Sequence, residues 1–450
     1  MGTGLLSRET QHSIIALGVL LAGVVPIARA QDHWVATWAA SPQAPRIVLG
    51  RPAGRATGAS PAPPNQPALP PGAGQAAANQ PPPPPPDLSN QTVRMIVHTS
   101  IGGRRARLQL SNAFGSSPLQ IGAAHLALRE LRDKESAIVP ASDRPLTFSG
   151  KSSFTIPLGA EIVSDPVDLD IPALGDLVIS VYLPGEVTLP TSHLIGLHTT
   201  YISKAGDLTD APSIANATKT QSWTWISSVD VLAPAASGLI VALGDSITDG
   251  YTSTLDADNS WPSQLARRLL TNKATAGVAI VNQGISANRV LSDGAGVSAL
   301  ARFDRDVLAQ PGVRWLILLE GINDIGFGAA FGAEAVTADD LIGAYKQIIE
   351  RAHMHGIKVI GATLTPFRGA AYYSDEGEAI RVALNQFIRA GNAFDTVIDF
   401  DAAARDPQNP KQILAAYNIS DHLHPNDAGY KAMADAVDLS IFTSAQKKRR

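Results

Sequence analysis

From Gly238 onward, five short apolar runs alternate with stretches that read as helices, and that alternation allows few folds. Leu239–Leu243 precedes a helical stretch at Trp261–Leu270, and Val278–Asn282 precedes one around Ala299–Leu308. Trp315–Leu319 precedes Asp339–His353, Lys358–Thr363 precedes Gly377–Arg389, and Thr396–Phe400 precedes Pro425–Leu439. Unbroken apolar runs suit strands buried on both faces, and parallel strands need long crossovers, usually helical. The pattern predicts an α/β domain over 236–445, a parallel sheet with helices on both faces. In such sheets, residues that handle a ligand gather where the strands end.

The preceding half has another rhythm. Thr92–Thr99 and Arg105–Leu110 alternate apolar and polar residues, and Phe154–Ile156, Ala160–Val163, Leu177–Leu183 and Trp223–Val231 continue the series. Gly102-Gly103, Phe114-Gly115, Pro184-Gly185 and Ala205-Gly206 supply turns, and no useful helical run intervenes. An antiparallel β-sandwich over 92–235 is expected, with a first strand from 31–50 carrying Trp34, Val35 and Trp38. Residues 51–91 are, from Arg51 to Pro86, mostly Pro, Ala, Gly and Gln, and that stretch closes on the run Pro81–Pro86. With almost no aromatic or β-branched residues they read as a disordered insertion, polyproline II in the run itself.

At the amino end Arg8 precedes an apolar run, Ile14–Ile27, followed by Ala28-Arg29-Ala30. This is the pattern of a secretory signal peptide over 1–30, too short in its apolar part for a membrane span. Export to the periplasm or beyond the cell is therefore expected. A chain starting after Ala30 carries a net charge near −5, against −4 for the whole, which gives no electrostatic basis for binding nucleic acid. There is no cysteine, so stability must come from a large core rather than disulfides.

Four strand ends carry chemistry. Leu239–Leu243 breaks into Gly244-Asp245-Ser246, where Ser246 is either a helix cap or an exposed nucleophile. The next ends carry Gly284 and then Asn323-Asp324. The last loop holds Asp421-His-Leu-His424-Pro425. Attack by a serine on an ester needs a base, a group that orients it, and donors for the developing oxyanion. His424 suits the base and Asp421, three residues before it, the orienting group; His422 competes for the base role. The Ser246 N–H, the Gly284 N–H and the Asn323 amide could serve as donors. Gly326–Gly332 reads as a mobile loop of small residues beside Asn323. No H-E-x-x-H or cysteine ligand set suggests a metal, and no organic cofactor is called for.

Gly244-Asp-Ser-Ile-Thr248, Gly284, Gly321-Ile-Asn323-Asp324 and Asp421-x-x-His424-Pro425 resemble, in order, the four signature blocks of the SGNH (GDSL-type) hydrolase superfamily. The resemblance spans Gly238 to about Leu439. It implies a flavodoxin-like three-layer fold and ester hydrolysis through an acyl-enzyme. By match it also implies Ser246 as nucleophile, Gly284 and Asn323 as oxyanion donors, and Asp421 and His424 as the rest of the triad. The β-rich half is similar to accessory sandwiches of some secreted members. Short acyl esters of carbohydrates, such as an acetylated polysaccharide, are the expected substrates, with aryl or lipid esters as the alternative. A third reading is a non-catalytic glycan-binding protein in which Trp34, Trp38, Trp223 and Trp225 stack on sugars.

Overall fold

A computed structural model describes residues 1–2, 32–44, 88–131, 135–187, 190–331 and 335–443, without side chains at 328–331. Residues 3–30 of the expected signal peptide and 51–87 of the expected disordered insertion lie outside the described residues; the insertion's last four residues are ordered instead, with Leu88 buried in the core and Gln91 opening a strand. The chain divides into Met1–Asp32 and one compact unit, His33–Arg450. Among the described residues no helix is long and apolar enough to cross a membrane.

Among the described residues the β-rich half contains two two-stranded antiparallel sheets, Ser192–His193 with Trp223–Thr224 and Leu119–Ile121 with Phe154–Ile156, and two large ones. In one, Trp34–Ala39 pairs with Ile226–Leu232, which pairs with Gly103–Ser111, itself flanked by Glu161–Val163 and Val167–Ile171. In the other, Gln91–His98 and Asp176–Leu183 form the centre. Ala123–Leu128 and Arg144–Pro145 extend it on one side, Thr200–Ile202 and Thr218–Thr220 on the other. Period-two alternation shows in Gln91–His98. Val93, Met95 and Val97 join the main core, while Ile96 joins a smaller cluster with Val178 and Tyr201 on the opposite face. Arg94 lies on that second face, fully buried, and its guanidinium donates to the carbonyls of Ser136, Leu208, Thr209 and Ala211. Burial pushes its pKa down to about 10 despite nearby acids.

Two expectations for this half need correction. Trp223–Val231 is not one strand. It breaks at Trp225, whose φ of 58° turns the backbone left-handed so that its N–H reaches Thr191 O and its carbonyl accepts from Ser111. Nor do the tryptophans offer a sugar platform: Trp38, Trp223 and Trp225 are buried in the core, Trp38 edge-on to Trp223, and Trp34 lies beneath the Arg107 guanidinium.

The second half is a five-stranded parallel sheet: β1 (Gly238–Gly244), β2 (Val278–Gly284), β3 (Val313–Leu319), β4 (Lys358–Ala362) and β5 (Thr396–Ile398). The order β2-β1-β3-β4-β5 is the flavodoxin-like one, with β1 central and all seven of its residues buried. The helices expected from the sequence are Trp261–Thr271, Ala338–Met354, Asp375–Ala390 and Asp427–Asp435. Ala299–Phe303 runs on as one turn of π-helix to Leu308. The last helix starts at Asp427, not Pro425: Asn426 caps it through Gly429 N–H, and Pro425 lies before the cap, bridged to Asn418.

One continuous core joins both halves, with Val35, Leu108 and Val229 in the same cluster as Leu239, Ile280 and Leu316. Polar contacts cross as well. Ala36 N–H donates to Pro311 O, and Ile280 N–H to Ser100 Oγ at 3.2 Å. His198 sits at this seam, 4% exposed in its side chain, with Nε2 2.8 Å from Asp258 Oδ1 and Nδ1 at an ion-pair distance of 3.4 Å from Asp256. Burial alone would lower its pKa from 6.5; the two carboxylates outweigh it and push it up to about 9. A raised folded pKa contributes stability that is complete below the unfolded value and lost as pH rises through the folded one. His198→Gln should therefore cost on the order of 3 kcal/mol at pH 6. By pH 10 the gap between variant and wild-type urea midpoints should have narrowed sharply; a gap constant with pH would refute the charged pair.

Candidate active site

The turn after β1 is built for a tight reversal. A Cβ on Gly244 would lie 2.1 Å from Thr248 Oγ1 and 2.5 Å from Leu319 O, so only glycine fits. Asp245 caps the following short helix, Ser246–Asp249, by accepting Ile247 N–H at 2.9 Å. The capping role weighed for Ser246 thus belongs to its neighbour, and the serine hydroxyl is left for another partner. That partner is His424: Ser246 Oγ lies 2.9 Å from His424 Nε2. Asp421 Oδ2 lies 2.5 Å from His424 Nδ1. A carboxylate only accepts, so Nδ1 donates, and the neutral imidazole then presents a bare Nε2 to the serine O–H.

Asp421 is anchored through its other oxygen, which accepts the N–H groups of Leu423 (3.0 Å) and His424 (2.9 Å). Burial pushes its pKa up, but the bonds from His424 and the backbone more than offset this, holding it below the usual carboxylate value. The loop carrying it is stapled to the serine loop. Thr252 Oγ1 donates to Pro425 O, and Thr254 and Asn259 donate to the Asp427 carboxylate. The Tyr251 ring meets the His424 ring edge-on at 4.7 Å. His422, the competing base, packs elsewhere: its ring sits where Gly369, at φ 102°, has no Cβ, which would lie 2.8 Å from His422 Cγ. Thr252, Ala287, Ser420 and His422 all hold positive φ, a concentration of backbone strain expected near functional sites.

The donors differ from expectation at one position. Gly284 N–H is already bonded to Asn282 Oδ1 at 2.9 Å. Its missing side chain serves packing instead, since a Cβ would come within 2.2 Å of Asp249 N. Three residues on, Ala287 adopts φ 64°, and no acceptor among the described residues takes its N–H. Nothing in the sequence could single it out, because alanine has no preference for that conformation. Asn323 Nδ2 uses one hydrogen on Asn288 O (2.9 Å), keeping a second, and its Oδ1 accepts from Tyr372 OH at 3.3 Å. Asp324 secures the same segment by accepting from Val290 and Leu291 N–H.

Gly326–Phe331 is not a loop but part of a helix, Ile322–Phe331. Gly326 lies against the Tyr372 ring, where a Cβ would approach Cδ2 to 2.4 Å, so glycine here permits close packing rather than mobility. Behind the serine lies a buried cluster of acids around the fully buried Arg302. Arg302 donates to Asn288 Oδ1, Ser41 Oγ, Gln283 O, Asp306 Oδ2 and Gly244 O, and stands 3.6 Å from Glu320. Burial pushes Asp245 up to about 7 and Glu320 well above its usual range.

Elsewhere, His98, Asp176 and Asp258 bring ligand-type atoms within 4.8 Å of one another, a grouping the sequence did not suggest. Their charge is met by protein groups, Arg129 at 3.0 Å from Asp176 and His198 on Asp258.

Residues 242–432 match the model of the GDSL-like lipase/acylhydrolase family. Among solved structures, the chain is similar to a GDSL-like lipase from Bacteroides thetaiotaomicron, at 22% identity over 45% of this chain and 87% of that one, TM-score 0.34. It is similar to an acetyl xylan esterase, at 22% identity over 44% and 96%, TM-score 0.35. A third is the M. smegmatis aryl esterase, at 15% identity over 44% and 96%, TM-score 0.36. A search of curated proteins finds no match. Residues 242–432 are therefore a GDSL-like lipase/acylhydrolase domain, and the chain that carries it is a carboxylic ester hydrolase.

Proposed function

We propose that the chain is an exported serine esterase acting through an acyl-enzyme, with Ser246 as nucleophile, His424 as base and Asp421 as its orienting partner. The observation that carries this reading is the continuous hydrogen-bond path from Ser246 Oγ through His424 to Asp421. As Oγ bonds to the ester carbon, its proton passes to His424 Nε2, and Asp421 stabilises the imidazolium. The carbonyl oxygen becomes negative against the Ser246 N–H, the Ala287 N–H and the Asn323 amide, with Ala287 taking the place first expected for Gly284. The tetrahedral species collapses as His424 protonates the departing alcohol. Water, deprotonated by His424, then releases the acid and restores the serine.

For substrate we favour short acyl groups, acetyl first, on carbohydrate. Tyr372, bonded to Asn323 and lying on Gly326, supports a short acyl group by closing the space beside the donors. The expected export signal supports a substrate outside the cytoplasm. Across p-nitrophenyl esters, kcat/KM should fall about tenfold or more from acetyl to octanoyl. Best activity on long chains would overturn the short-acyl reading, and a panel of acetylated polysaccharides, scored by acetate release, tests the carbohydrate.

A further inference from the structure

We propose that His193, contributed by the β-rich half, is a positioning residue for ester hydrolysis: through Asp249 it fixes the Ser286–Ala287 turn against the helix that begins at Ser246. The proposal rests on the triad reading above.

His193 is buried in the short strand Ser192–His193, paired with Trp223–Thr224 and stacked on the Trp223 ring. Its Nε2 lies 3.0 Å from Asp249 Oδ1 and its Nδ1 lies 3.0 Å from Ser41 O. A carbonyl and a carboxylate both accept, so each ring nitrogen must carry a hydrogen for both bonds to form. The ring is then an imidazolium facing a carboxylate, both side chains 4% exposed. Burial works against that charge, but the Asp249 carboxylate and the two bonds outweigh it and raise the His193 pKa, with the Arg302 cation opposing.

Asp249 closes the four-residue helix that Ser246 opens. Its second oxygen accepts both the N–H (2.9 Å) and the Oγ–H (2.6 Å) of Ser286, the residue before Ala287. One carboxylate therefore joins the nucleophile's helix to the turn that presents the free Ala287 N–H. The charge that keeps this carboxylate in place comes from outside the α/β sheet. Without it, Asp249 would be a buried anion whose remaining partners lie on one side, free to draw the turn out of register. The β-rich half thereby supplies part of the catalytic geometry, not only a neighbouring fold.

The test uses the full chain and p-nitrophenyl acetate, with kcat expressed per folded molecule. His193→Gln should lower kcat about 100-fold while KM stays within about twofold. It should also remove any alkaline fall in kcat that reports loss of the imidazolium. Asp249→Asn should show the same split, and His125→Gln, which breaks the His125–Asp143 pair (2.8 Å) on the six-stranded sheet, should leave kcat unchanged. Should His193→Gln fail to fold, Ser286→Ala trims a single hydroxyl and should lower kcat about tenfold. Wild-type kcat in His193→Gln, or in Ser286→Ala where that variant stands in, overturns the proposal. A wild-type chain that does not hydrolyse the ester overturns the triad reading itself, an outcome distinct from an active enzyme indifferent to His193.

Discussion

Ser246→Ala should lower kcat for p-nitrophenyl acetate by about 10⁶-fold, the scale seen when a serine nucleophile working with its histidine is removed. Among the described residues the hydroxyl's one hydrogen-bond partner is His424 Nε2, so its loss leaves no buried donor stranded within the core. The unfolding free energy from urea titration should accordingly stay within about 0.5 kcal/mol of wild type. That combination separates a chemical role from a structural one. A fluorophosphonate should label the wild-type chain at residue 246 and leave the variant unlabelled. Residual hydrolysis within about a hundredfold of wild type would mean that another group attacks the ester, because the oxyanion donors alone account for far less of the total.

The second large effect concerns Arg302. This fully buried guanidinium holds the carbonyl ends of β1 and β2 through Gly244 O and Gln283 O, the Asn288 side chain beside Asn323, and Ser41 from the β-rich half. Arg302→Met keeps much of the apolar stem but leaves Asp306 with Arg305 alone as cationic partner and takes a donor from Gln283 O and from Gly244 O, which keeps only the Ile285 N–H. Removing one member of a buried pair costs about 3–5 kcal/mol, which should appear as a clear fall in the urea midpoint. Activity should fall as well, because Gly244 sets the turn to Ser246 and Asn288 O orients the Asn323 amide. A variant as stable as wild type would show that the hub is redundant.

The parallel sheet and the Asp421–His424 hydrogen bond were both legible because each is written locally. Apolar runs of five to seven residues, each ended by a glycine or a polar residue, mark buried strands. The Asp421–His424 spacing closes within one loop, needing only an Asx-type turn at Asp421 to bring carboxylate and imidazole together. Contacts between the halves were not legible. Ser41–Arg302 and His193–Asp249 join residues whose partners are chosen by three-dimensional packing, and neither side carries a local mark. Gly284 and Gly326 misled for one reason. A glycine signals either a donor-presenting or mobile backbone, or a close approach, and in both places the neighbour, Asp249 or Tyr372, makes it the latter. Ala123–Leu128 escaped notice because alanine and histidine carry little strand preference, and its pairing with Asp176–Leu183 supplies the stability instead.

The shared core has a consequence for modularity. An α/β layer excised just before Gly238 would bare the apolar surface now covered by Val35 and its neighbours, and would strip Arg302 of Ser41 and Asp249 of its imidazolium. Grafting this esterase onto a different carrier would thus mean transplanting the seam along with the sheet, and a swap of carriers between relatives would succeed only where the histidine and the serine travel with the graft.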